Sequence, residues 1–177
     1  MGIIDILMNS GNGDLLKHIG KQAGTDEQSS RDLLSTLGSA MLGQVKGRVE
    51  SESHDSKALE GLIQNSKYAE MLGNPSSHYN DNKMQDNGND LLGYITGSRE
   101  GSREIASQVS QKTGVDSSII KSLLPMIAPL IIGSLGKGMM GGGNQSSSSS
   151  GLLDMLDFDN DGSVIDDVAG LAMKYLL

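Results

Sequence analysis

The sequence predicts an all-α fold: two related helical units forming a compact multihelical bundle, then a Gly/Ser linker and a C-terminal acidic loop plus helix. Three observations carry that expectation. Aromatic residues make up 3% of the chain, with four Tyr, one Phe and no Trp. The core is therefore left to Leu, Ile, Val, Met and Ala, a set that favours helices over a sandwich or barrel. Apolar residues recur at helical spacing in several stretches. Finally, a shift of about 90 residues aligns two segments without gaps, the mark of an internal repeat. A chain of 177 residues has room for one ordinary domain or two small ones.

Residues 1–8 (MGIIDILM) read as a short amphipathic helix docked on the core. They lack a cationic n-region, and their apolar run, interrupted by Asp5, is too short for a signal-peptide core. Ile6 stands where N-myristoylation at Gly2 wants Ser or Thr. No Lys/Arg face suggests a membrane surface.

The repeat organises the body of the chain. Gly24-Thr25-Asp26 falls on Gly114-Val115-Asp116, Leu33-Leu34 on Leu123-Leu124, Gly43 on Gly133, Ile19 on Val109 and Leu42 on Ile132. In each copy an amphipathic helix ends at a Gly that can take the left-handed C′ conformation. Asp26 or Asp116 then N-caps a second, more apolar helix. In copy one, Leu33, Leu34, Leu37, Met41, Leu42 and Val45 fall on one face. In copy two the stretch 119–135 is apolar on nearly every side, so it is central or covered from several directions. It is shorter than the roughly 20 residues a bilayer needs. It also holds Lys121, Pro125, Pro129 and Gly133. We read it as a buried helix or a broken helix pair, which the prolines kink or interrupt by removing backbone donors. Copy one has Ser35 and Ser39 in their place.

A third helix is expected over about 55–72, where Gly73-Asn74-Pro75 ends it. Residues 74–90 are polar and turn-rich and read as a linker or exposed loop. Leu91-Leu92-Gly93-Tyr94-Ile95 restarts the apolar pattern. The expected organisation is a first helical unit over 1–73, a polar linker or loop over 74–90 and a second unit over 91–138. A flexible Gly/Ser-rich linker over 139–150 and an acidic loop with terminal helix over 151–177 complete it.

Composition excludes several functions. Fourteen basic against 22 acidic residues give a net charge of −8, the wrong sign for nucleic-acid binding as a main task. Stacking platforms need aromatics that are absent. Without Cys there is no disulfide scaffold, thiolate metal site or Cys nucleophile. No Gly-x-Ser-x-Gly elbow occurs, and Gly11-Asn12-Gly13 opens a helix with no strand before it, unlike a phosphate loop. His18, His54 and His78 lack metal-ligand spacing, and Met126, Met139 and Met140 suit core or linker filling. No catalytic residue and no small-molecule substrate emerge, so we expect a protein that is not an enzyme.

One segment carries chemistry. Asp157, Asp159 and Asp161 stand at positions 1, 3 and 5 of a calcium-type loop, with Gly162 at the sharp turn of position 6. Ser163 offers its carbonyl at position 7, and Val164 is the apolar residue of position 8. Alternate carboxylates on a curled loop supply the hard oxygens that Ca²⁺ takes. The second half departs from the EF-hand. Ile165 is at position 9 and Val168 at position 12, where a bidentate Glu is wanted. Asp166 and Asp167, at positions 10 and 11, reach inward only if the loop is shortened. Without metal, Ser163 and Asp166 form a capping-box-like pair for the last helix. Asp166 and Asp167 then also suit its dipole.

The run Asp90-Leu91-Leu92-Gly93, Ile95-Thr96-Gly97-Ser98, Ile105-Ala106-Ser107-Gln108 and Thr113-Gly114-Val115-Asp116 leads to a core Leu123-Leu124-Pro125-Met126-Ile127-Ala128-Pro129-Leu130. This segment, within 89–138, resembles the bacterial YidB-like family of unknown function. The tail from Asp157 to Ala172 is similar to a D-x-D-x-D-G-S ending found in that family. The resemblance implies a compact all-helical bacterial protein and supplies no catalytic residues. The expected function is therefore a non-catalytic structural or interaction protein of the cytoplasm, responsive to calcium and bound to a protein partner or to itself. The alternative is a self-assembling, homo-oligomeric helical module with a metal-free acidic loop. Its motive is the apolar surplus in copy two together with the Leu-rich ends, which would leave a patch exposed.

Overall fold

The computed structural model describes residues 3–9, 13–51, 54–78 and 82–141. Among them there are helices and turns and no strand. The chain folds as a multihelical bundle, as the scarcity of aromatics and the helical periodicity require.

Helix α1, Ile3–Met8, buries Leu7 completely and packs on the bundle as expected of the amphipathic N-terminal stretch. Helix α2, Asp14–Ala23, buries Leu15, Leu16 and Ile19. Gly24 ends it at φ 66°, a left-handed conformation that a Cβ would strain, and its N–H bonds back to the Gly20 carbonyl. Asp26 then caps α3, Glu27–Glu50, by accepting from the Ser29 N–H at 2.7 Å. The six positions expected on the inner face of α3 are all fully buried.

The stretch expected as one third helix is two. Helix α4, His54–Ile63, and helix α5, Ser66–Met71, are separated at Gln64 and Asn65. The Asn65 side chain accepts from the Lys67 N–H at 3.1 Å, so the residue serves as a fresh N-cap. A 3₁₀ turn, Pro75–His78, comes next. Helix α6, Asn82–Thr96, begins inside the segment read as a linker or loop, so residues 82–90 are helical. Their Asn, Asp and Gly content signals turns, and packing overrides that preference: Gly88 is buried against α8.

Helix α7, Arg99–Thr113, starts at Ser98, whose hydroxyl accepts from the Gly101 N–H at 3.1 Å. It buries Ile105, Ala106 and Val109 and ends at Gly114 with φ 74°. Helix α8, Ser117–Gly141, is capped by Asp116, which accepts from the Ser118 N–H at 2.7 Å. Both junctions, α2 to α3 and α7 to α8, therefore share one geometry, a left-handed Gly two residues before a capping Asp.

Of the two readings of this stretch, the buried helix is the one that holds. Helix α8 continues through Pro125 and Pro129 without interruption. The magnitudes explain why. Each interior proline costs about 3 kcal/mol. Against that, Ile120, Leu123, Leu124, Ile127, Leu130, Ile131, Ile132 and Leu135 are all buried on α8. At about 1.5–3 kcal/mol per side chain, their burial outweighs both prolines together. Proline also leaves a carbonyl four residues back without its helical donor. One of these belongs to Lys121, an exposed residue. The other, of Pro125, faces Gly88 of α6, where a Cβ would lie 2.6 Å from the carbonyl carbon. The helix ends at Gly141, so the first three residues expected in the Gly/Ser linker are helical.

The two sequence units do not keep separate cores. Among the described residues a single cluster of buried side chains runs from Leu7 to Leu135, and α8 touches the seven other described α-helices. Residues 117–139 form the one described helix long and apolar enough to cross a membrane, and 78% of its most apolar window is buried inside the bundle. Tyr94, 39% exposed, is the one large apolar side chain left at the surface of the described residues.

Candidate functional site

The residues with metal-ligand chemistry in the sequence, Asp157, Asp159, Asp161, Ser163, Asp166 and Asp167, lie outside the described residues. Among the described residues no group of three or more His, Asp or Glu is placed to hold a metal ion.

The structure instead assembles a cleft of about 650 Å³ where the end of α1, the outer face of α2 and the first turns of α3 meet. Its floor is the α2–α3 junction. Gly20 allows the two helices to approach there, because a Cβ would lie 2.8 Å from the Ser30 hydroxyl and 2.9 Å from the Thr25 carbonyl. Ser30 is fully buried, and its hydroxyl donates to the Asp26 carbonyl at 2.7 Å. That single proton being used, the Thr25 hydroxyl donates to Ser30 across 2.9 Å. This hydrogen-bond chain ties the α2–α3 junction to the first turn of α3.

The walls carry charge. Lys17 and Lys21 stand one turn apart on α2, both exposed, and neither has an ion pair or hydrogen bond among the described residues. Arg31 pairs with Glu27 at 2.9 Å within α3. Three cations against one carboxylate make the cleft positive on a chain whose net charge is −8. The start of α2 at Gly13 has no side-chain cap, so its backbone N–H groups add positive potential, moderated by Asp14 in the first turn. Beside the cleft, burial and then Lys21 hold the His18 imidazole below its usual pKa. Hydrogen bonds from Ser29 hold the Asp26 carboxyl below the usual carboxylate range. The arrangement can attract and hold carboxylates or other anions. It brings together no nucleophile with a base.

Sequence reasoning did not find this cleft. Its trace in the sequence is the Lys17/Lys21 pair at i and i+4, but only the α2–α3 angle brings Arg31 to the same place.

A family described as a bacterial protein of unknown function, DUF937, matches residues 5–138. The chain belongs to this family. No curated protein and no solved structure matches it. The DUF937 match runs without a break through α1 to α8, in keeping with one shared core, and agrees with the YidB-like resemblance of 89–138. It stops at Gly138, so the acidic segment lies beyond the family match.

Proposed function

We propose that this DUF937 protein is a non-catalytic structural or interaction protein of the cytoplasm. In this reading its helical body presents a polar surface, and its C-terminal acidic loop binds one Ca²⁺. The observation that carries it is the spacing of Asp157, Asp159 and Asp161 ahead of Gly162, which supplies alternate hard oxygens before a sharp turn. The Ser163 carbonyl and Asp166 or Asp167 complete the donor set if the loop is shortened. Support for a soluble, partner-binding body comes from α8, whose apolar side chains are consumed within the bundle. Among the described residues, α8 therefore offers little apolar surface for the self-assembling alternative.

Calorimetric titration of calcium into chelator-treated protein, with Mg²⁺ as control, tests the proposal. The expected result is a saturable one-site heat and a melting temperature that rises with calcium, following RT ln(1 + [Ca]/Kd). Asp159→Ala and Asp161→Ala are expected to abolish both. No heat and an unchanged melting temperature in wild type would reduce the loop to a helix cap.

A further inference from the structure

We propose that the acidic segment 154–167 of this chain docks in the basic cleft, with its carboxylates on Lys17, Lys21 and Arg31. The cleft calls for an anion. Lys17 and Lys21 are like charges one turn apart, an arrangement that repels on a bare helix, and neither is ion-paired among the described residues. The uncapped start of α2 acts in the same direction.

The chain carries its own candidate. Six aspartates, Asp154, Asp157, Asp159, Asp161, Asp166 and Asp167, fall within 154–167, and Lys174 is the one basic residue after Gly141. Residues 142–156 separate the end of α8 from Asp157. A stretch of that length spans about 50 Å when extended. A body of this size has a radius of gyration of about 14 Å, so the cleft is within reach. α8 packs on α1, and Met8 and Asn9 at the end of α1 line the cleft. A tethered segment of this kind acts at an effective concentration of about millimolar, which makes weak carboxylate–ammonium pairs sufficient. The docking does not depend on calcium, although both ideas use the same carboxylates.

Zero-length carbodiimide cross-linking of the full chain at low salt, without calcium, tests it. Mixing ¹⁵N-labelled and unlabelled protein separates cross-links within one chain from those between chains. The expected result is same-label cross-links from Lys17 and Lys21 to aspartates of 154–167. They should be roughly tenfold richer than those from the exposed Lys57, Lys67, Lys112 and Lys137. They should fall away near 1 M salt, where the Debye length is about 3 Å. Equal yields at all lysines, or mixed-label products only, would overturn the proposal. A second readout does not depend on the reagent. Asp157→Asn/Asp159→Asn/Asp161→Asn is expected to shift amide resonances of residues 17–31 at low salt, and unmoved resonances would count against docking. Calcium heat without these cross-links overturns docking and leaves the calcium reading intact. Cross-links without calcium heat do the reverse.

Discussion

Gly43 and Gly133 fall on one another when the sequence is shifted by about 90 residues, and the same substitution should act on them with opposite signs. Gly43 is exposed on α3, and a Cβ built there meets nothing within 4 Å. Gly43→Ala therefore adds only the helix preference of Ala over Gly, a gain of about 1 kcal/mol. Gly133 is buried on α8 where α5 crosses it. A Cβ there would lie 2.7 Å from the Tyr68 carbonyl carbon and 3.2 Å from the Ala69 nitrogen, with the Tyr68 carbonyl oxygen closer still. These are backbone atoms and cannot swing aside, so α5 must retreat by about 1 Å. Overpacking of this kind costs up to about 3 kcal/mol. After the gain of about 1 kcal/mol in helix preference, Gly133→Ala is left about 2 kcal/mol less stable. At roughly 2–4 °C per kcal/mol for a chain of this size, Gly133→Ala should melt about 4–8 °C below wild type and Gly43→Ala about 2–4 °C above it. Thermal and urea denaturation followed by circular dichroism read both values, with an unchanged urea slope. A Gly133→Ala protein melting at or above wild type would refute the close approach of α5 to α8. A comparable fall at Gly43 would show that the effect is not one of crossing distance.

Three further outcomes are expected of the same structure. Leu34→Ala removes a fully buried side chain from α3 and should cost about 2–5 kcal/mol, read as a lower urea midpoint. Arg48→Met should lose about 1 kcal/mol in the same assay, because the Arg48 Nε donates to the Tyr94 carbonyl at 3.3 Å and its guanidinium lies against Gly97, tying α3 to the end of α6. Asp26 is held below the usual carboxylate range by the backbone N–H and then the hydroxyl of Ser29, and Asp116 by the hydroxyl and then the backbone N–H of Ser118. Their contribution is fully present above the ordinary carboxyl pKa and is lost as pH falls through the lower folded values. Melting curves taken from pH 7 to pH 2 should accordingly drop less steeply below about pH 4 in Asp26→Asn/Asp116→Asn than in wild type; parallel curves would contradict the assignment.

Much of the architecture is legible residue by residue. Gly24 before Asp26 and Gly114 before Asp116 mark two helix junctions, and both glycines take the left-handed conformation while both aspartates cap. These are local effects, decided by the steric freedom of glycine and the reach of a short carboxylate, so no distant residue is needed to read them. The inner face of α3 is likewise set by a 3.6-residue period alone. Three outcomes depended on partners far away in the chain. Residues 82–90 carry turn signals yet form helix, because Gly88 allows α6 to lie against the Pro125 carbonyl of α8. Two prolines do not interrupt α8, because burial on all sides exceeds their cost. Lys17, Lys21 and Arg31 become one basic cleft only through the angle at which α2 meets α3 across Gly20 and Ser30.

By itself, then, the sequence determined the helical class, the caps, the apolar faces and the acidic spacing of 157–161, since each rests on neighbours within a turn or two. Tertiary structure alone decided that both halves share a single core, that Gly133 is a crossing point while Gly43 is open surface, and that a positive cleft exists on an acidic chain. Those depend on how closely helices approach, and that distance is set by pairs of residues far apart in sequence.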